Sequence, residues 1–287
     1  MADSLFPLAR QKFLGGTLDW DTQTFSAVLA DLSPTISDAG IRQITSSTNA
    51  TPIVVTTAVA HGFTTGDLVY VDGITTGTSG NGVWTITAAS GSVFSLTDPI
   101  TGGNAVGNGV GSGGYCVNLG PSTSGDFYDD FDASIVGVKT NLTSPTIVNG
   151  VADAADVTFT AVSGNQCEAM FIIRDTGTGS TSEMIAMITG KQIVTCAASI
   201  AAATTLPVER LRGGIPNGTT IAFSTGQSAT LTALANAGDR TLTVSSTTVT
   251  AGGRGMCVYT GSGLPVTPNG GNIIYTFDNG ANRIFAL

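Results

Sequence analysis

The sequence predicts an all-β protein: a β-sandwich or jelly-roll-like host domain with two small inserted β modules and one short N-terminal helix. Three observations lead there. Six Asn-Gly steps and one Asp-Gly step are spread over 287 residues, and such dipeptides supply the positive φ angles that tight hairpin turns require. Residues 169–173 (Ala-Met-Phe-Ile-Ile) and 184–188 (Met-Ile-Ala-Met-Ile) are unbroken apolar runs, too short for helices and suited to strands covered on both faces. Residues 193–223 align without gaps on 229–259 at an offset of 36, the mark of a duplicated supersecondary unit.

The two apolar runs are joined by Asp-Thr-Gly-Thr-Gly-Ser-Thr-Ser, which is turn chemistry. They read as a central hairpin with the rest of the chain laid over it. Residues 4–14 form the expected helix: Ser4 can cap, Pro7 falls in the first turn, Leu5, Ala9 and Phe13 share a face, and Gly15-Gly16 stops it. Residues 18–31 read as strand. From about residue 41 the texture changes. Short strands at 53–57, 68–71, 83–87 and 92–97, separated by turns, describe a small barrel or sandwich. The Gly-rich stretch 102–114 reads as its exit linker.

The host texture resumes at Tyr115, with strands expected near 117–119, 134–138, 147–148 and 157–161. In the repeat, Leu206 falls on Leu242 and Ile221 on Cys257. In the tail, 273–277 alternates, Asn279-Gly280 turns, and 283–287 is expected to pair back. The chain therefore parses as a discontinuous host (1–41, 115–190 and 263–287), one inserted β module (42–114), and one duplicated β module (191–262). Insertions are tolerated where chain ends meet at exposed loop tips.

Charged residues make up 11% of the chain, against about a quarter in ordinary domains. A mean hydropathy of +0.28 excludes a disordered polar tract. The net charge is −9 with no Lys/Arg run, which argues against a nucleic-acid partner. Cys116, Cys167, Cys196 and Cys257 contain no CxxC spacing and read as buried free thiols. No apolar run reaches membrane-spanning length and no signal-peptide core opens the chain, so no membrane partner and synthesis in a cytoplasm are expected.

Candidate chemistry is sparse. A histidine-based triad or zinc site built within this chain needs His61, but the Ala60-His61-Gly62 setting reads as a turn. Gly109-x-Gly111-x-x-Gly114 matches a dinucleotide fingerprint by letter, yet no helix pattern follows. The Gly190-Lys191 step lacks the first glycine of a Walker A loop, at position 185. Asp126, Asp129, Asp130 and Asp132 place four carboxylates in seven residues. They could hold a hard cation such as Ca²⁺, or form a solvated acidic loop or a patch for a basic partner. Glu168 and Glu183 flank the hairpin and are candidates to face each other as a carboxylate pair, with Arg174 nearby arguing against it. No catalytic residue and no cofactor are expected.

A resemblance rests on Met1-Ala-Asp-Ser-Leu-Phe-Pro, on Val-Ala-Asp-Ala-Ala-Asp-Val-Thr-Phe-Thr-Ala-Val from residue 151, on Arg174-Asp-Thr-Gly-Thr, and on the tail from Leu264. The tail is the most specific part, through Leu-Pro-Val-Thr-Pro-Asn-Gly-Gly and Asp-Asn-Gly-Ala-Asn-Arg-Ile-Phe. These strips belong to a host region covering about half the chain. It resembles capsid decoration (cement) proteins, a family of small tailed-bacteriophage virion proteins. The segment His61-Gly-Phe-Thr-Thr-Gly-Asp is similar to β modules of phage head and tail proteins, and the duplicated module resembles β repeats of phage structural proteins. The resemblance implies a non-enzymatic virion protein on the capsid exterior. Its partners would be the major capsid protein and further copies of itself, as a dimer or trimer. The alternative is a head, neck or tail fibre component that binds the host surface, which would require exposed aromatics; Tyr70 and Trp84 are the plausible pair, and both are expected in the core. The chain departs from shorter members by its two insertions.

Overall fold

The computed structural model describes residues 4–33, 38–99, 101–121, 125–189, 191–209, 211, 215–223, 227–236, 239–250, 254–258, 264–277 and 284–286. The fold is all-β with one short N-terminal α-helix.

The apolar runs form the expected hairpin: Ala169–Arg174 pairs antiparallel with Met184–Ile188. Ala169–Arg174 pairs on its other side with Phe25–Ala30, which pairs in turn with Ile135–Asn141. Ser4–Leu5 adds to the outer side of Met184–Ile188, completing a five-stranded sheet. All residues of Phe25–Ala30 and Met184–Ile188 are buried, as their continuous hydrophobicity demands. Each large apolar side chain removed from water here contributes about 1.5–3 kcal/mol.

The helix runs Pro7–Leu14 and not from residue 4. Proline disfavours helical backbone in the residue before it, and Phe6 is extended at ψ 135°. Ser4 and Leu5 instead hydrogen-bond along the sheet edge opposite Met187 and Ala186. The expected strand over 18–31 is likewise shorter. Trp20 sits in a turn, its ring 4.5 Å from Phe25 and 5.0 Å from Phe285, and its indole N–H donates to Asp153 O at 2.8 Å.

Facing the sheet is a layer of short ribbons drawn from distant parts of the chain. Thr146–Val148, Val151–Asp153 and Phe285–Ala286 form one ribbon, and Val157–Phe159 with Ile273–Tyr275 forms another. Cys167 bridges to Val266. Between the layers lie Phe25, Phe159, Tyr275, Phe277 and Phe285, while Phe171, opposite Val28 in the register, points to the other face of the sheet, against Phe6 and Phe131. Asn149 and Gly150 have φ of 53° and 76°, and Val148 faces Val151 directly, so this Asn-Gly step closes a two-residue hairpin of the mirror-image type. Among the described residues the tail does not pair back on 273–277; Phe285–Ala286 joins Val151–Ala152 instead. Asn279-Gly280 lies outside the described residues.

The first inserted module is a closed barrel. Six strands pair in the ring Tyr115–Asn118, Leu68–Asp72, Gly82–Ser90, Val93–Thr97, Val54–Thr57 and Ile41–Ser47, which returns to Tyr115–Asn118. Closure leaves the ring no free edge. The boundary expected after residue 114 falls just before the closing strand, so the barrel is completed by residues on both sides of it. Its interior holds Ile44, Val55, Val69, Val71, Trp84, Ile86, Phe94 and Leu96. The Gly-rich stretch is not a free linker. Gly111–Ser112 pairs with Thr75–Thr76 and Ser46–Ser47, and a Cβ on Gly114 (φ +91°) would stand 2.4 Å from Asp72 O.

The duplicated module has its own core, including Val194, Leu206, Ile221, Leu231, Leu242 and Val244. Equivalent positions of the repeat meet across the pairing: Leu206 faces Leu242, and Ile221 faces Cys257. Ser228–Thr230 and Lys191–Thr195, also equivalent, each pair with a strand of the other copy, Thr220–Phe223 and Arg254–Val258 respectively. The two copies are intertwined about a pseudo-two-fold axis, which is how each buries the apolar face it cannot bury alone.

Candidate functional site

The acidic segment 126–132 was expected as a cation loop, a solvated loop or a patch for a basic partner. The acidic segment is not an open loop. Tyr128–Ser134 is a 3₁₀ helix whose Phe131 is fully buried. The ring lies tilted against Phe171 at 4.9 Å and edge-on to Phe6 at 6.2 Å. This anchor forces the four carboxylates to different fates. Asp130 is used up as a cap, its Oδ2 accepting from the Gly125 and Phe127 N–H groups at 2.8 and 3.2 Å. Asp129 and Asp132 are exposed. Asp126 is buried, and its backbone carbonyl accepts from Met184 N–H. The segment therefore does not present four convergent ligands. Among the described residues no group of three or more His, Cys, Asp and Glu side chains is placed to hold a metal ion.

Glu168 and Glu183 do not face each other. They lie at opposite ends of the hairpin, because Ile173 pairs with Met184 and Met170 with Ile188. Glu168 Oε2 accepts from Leu32 N–H at 2.9 Å. Glu183 is held by Lys12 from the helix and by Arg174 at 3.1 Å from the neighbouring strand. Burial pushes the Glu183 carboxyl up, but the Lys12 hydrogen bond and the charges of Lys12 and Arg174 outweigh it and hold it below its ordinary range. The result is an ion-pair network that pins the helix to the sheet.

His61 is a buried turn residue. Its Nδ1 accepts from Phe63 N–H at 2.9 Å, so Nε2 carries the proton and donates to Val93 O at 3.2 Å. Burial lowers its pKa, and the nearby Arg42 charge adds to that. The glycines of the 109–114 fingerprint serve close backbone packing: a Cβ on Gly111 would stand 2.4 Å from Ser47 Oγ. Burial drives the thiols of Cys116 and Cys167 up to about 12, where they are inert.

Sequence reasoning missed a second buried junction. Asp72 Oδ2 accepts from the hydroxyls of Tyr115 (3.0 Å) and Tyr70 (3.3 Å) and pairs with Lys191. Lys191 opens the duplicated module, so this cluster ties that module to the barrel. The only sequence signal was a lone lysine at a module boundary, and nothing local marks Asp72 as its partner.

Outward apolar residues are spread over the helix (Leu14), the barrel (Val59, Val93, Val106, Val110), the duplicated module (Leu234) and the host ribbons and sheet edge. Val138 is 68% exposed on Ile135–Asn141, an outer strand of the five-stranded sheet, and Ile274 is 65% exposed on the tail ribbon. Ile147 and Val148 are about half exposed on the adjoining hairpin. Among the described residues no helix is long and apolar enough to cross a membrane. No protein-family model matches the chain, and a search of curated proteins finds no match.

Proposed function

We propose that this chain is a non-enzymatic virion structural protein that binds the outer surface of a bacteriophage capsid, as a homo-oligomer, and braces adjacent copies of the major capsid protein. The observation that carries the reading is where the family-like strips lie. The strip from Val151 pairs with Phe285–Ala286, Val157–Phe159 with Ile273–Tyr275, and Arg174 ends the central strand. Segments far apart in the chain thus converge on one layered host, and that layer carries Val138, Ile147, Val148 and Ile274 outward. Such residues suit the apolar centre of a permanent interface. The barrel and the duplicated module extend from the host and reach neighbouring subunits. The fibre alternative needs exposed aromatics on a module, and Tyr70 and Trp84 are 1% and 4% exposed, so it loses its binding pair. Co-sedimentation of the purified protein with capsids lacking it tests the proposal. Saturable binding that Val138→Asp and Ile274→Asp abolish, with the fold intact, supports it; absence of binding refutes it.

A further inference from the structure

The barrel meets the host along a seam built from Gly40, Asn118, the Thr64–Asp67 turn and residues 125–131. Gly40 N–H donates to Asp130 O, and Asn118 N–H to Gly40 O. A Cβ on Gly125 would stand 2.5 Å from Asn118 O, so the two backbones are in contact there. Asp126 is buried in this seam, 7% exposed, and its Oδ1 has no hydrogen-bond partner. A buried carboxylate oxygen without a donor is costly when ionised and tolerable when protonated. The neighbouring charges sharpen this. Asp67 on the barrel turn has its Oδ2 held by Thr64 N–H and Asn118 Nδ2, and Asp130 on the 3₁₀ helix is held by two N–H groups. Lys12, on the N-terminal helix, is the cation acting on Asp126, and it is shared with Glu183, which Arg174 also binds.

We propose that Asp126 is a proton-operated latch that couples acidity to how firmly the six-stranded barrel is held on the host layer. Protonated, the carboxyl sits neutral in the seam. Ionised, it is repelled by Asp67 on the barrel side and by Asp130 on the host side, and the seam loosens. Burial first, then the Asp130 and Asp67 charges, raise the Asp126 pKa to about 6 from an ordinary 3.8. The folded seam therefore binds a proton that the open seam releases. Seam stability is greatest near pH 4, falls as pH rises to about 6, and is flat above.

The test uses the full chain. Carboxyl-carbon NMR should give Asp126 a midpoint near 6. Hydrogen exchange, corrected for intrinsic rates, should show the amides of Gly40 and Asn118, whose bonds build the seam, losing protection by about tenfold between pH 5 and pH 7.5. The rise of the carboxyl from 3.8 to about 6 caps the whole effect at about a hundredfold. Asp126→Asn should abolish that pH dependence and keep protection high at pH 7.5. An Asp126 midpoint near 4, or an equal loss of protection in Asp126→Asn, overturns the proposal. So does a Ca²⁺-dependent rise in wild-type protection that the variant lacks, which would make the carboxylate a cation ligand instead. Should the variant fail to fold, the wild-type titration still decides.

Discussion

Gly40→Ala is the sharpest probe of the barrel–host seam. The added methyl would stand 2.4, 2.5 and 3.0 Å from Cζ, Cε1 and Cε2 of Phe131, distances that no packed carbon tolerates. The backbone cannot retreat easily, because Gly40 donates to Asp130 O at 2.9 Å and accepts from Asn118 N–H at 2.7 Å. Phe131 cannot retreat either, since its ring is buried between Phe6 and Phe171. Overpacking of this kind costs about 1–3 kcal/mol, and the double constraint puts Gly40→Ala at the upper end. Phe131→Leu removes the ring tip and by itself costs about 1–2 kcal/mol of lost burial, at ~0.8 kcal/mol per methylene-sized group. The leucine leaves the space the methyl needs, so the double variant should be less destabilised than the sum of the two, with a coupling of about 1 kcal/mol or more. Urea unfolding reports this, with Trp20 sensing the host and Trp84 the barrel. Strict additivity would mean that Gly40 and Phe131 do not touch and that the seam is wrongly drawn.

Other outcomes follow from the same contacts. Removal of 191–262 should leave the host and barrel folded, because that module keeps a separate core. Removal of 42–114 should unfold the host, because Tyr70 and Val83 belong to the host core and the barrel strands are split; circular dichroism and Trp20 fluorescence distinguish the two deletions. Glu183→Ala should cost about 1–3 kcal/mol by leaving Lys12 and Arg174 without their shared acceptor, read as a lower urea midpoint at unchanged slope. His61 has a folded-state pKa below its ordinary 6.5, so the unfolded chain takes up the proton first and stability should fall as pH drops through about 6.5. His61→Asn should flatten that part of the pH–stability curve. Iodoacetamide at pH 8 should leave Cys116 and Cys167 unmodified in the native protein and label both in urea, as peptide mass spectrometry would show.

What the sequence made legible was the part specified locally. The hairpin of residues 169–188 was readable because unbroken apolar runs of strand length, separated by glycine and hydroxyl residues, have few alternatives. The duplicated module was readable because a gapless offset survives in the letters. The helix start was misplaced because Ser4 looks like a cap, while the decisive events were Pro7 and a strand pairing with residues 186 and 187, the latter non-local. The acidic segment was read by charge, whereas its conformation is set by Phe131, an apolar residue whose anchoring pocket comes from three other parts of the chain. The barrel closure was invisible because Tyr115–Asn118 pairs with strands more than forty residues earlier, and texture alone placed it with the host. The Asp72–Lys191 and Glu183–Lys12 pairs span 119 and 171 residues, beyond any local pattern.

The central claim is attachment to a viral shell in numbers set by that shell. Under the proposed function the chain is carried by virus particles, and quantitative mass spectrometry of purified particles, with the major capsid protein as internal standard, measures it directly. The account predicts this chain in a fixed ratio to the major capsid protein, rising and falling with capsid size. A small constant number per particle, or absence from mature particles, would contradict it.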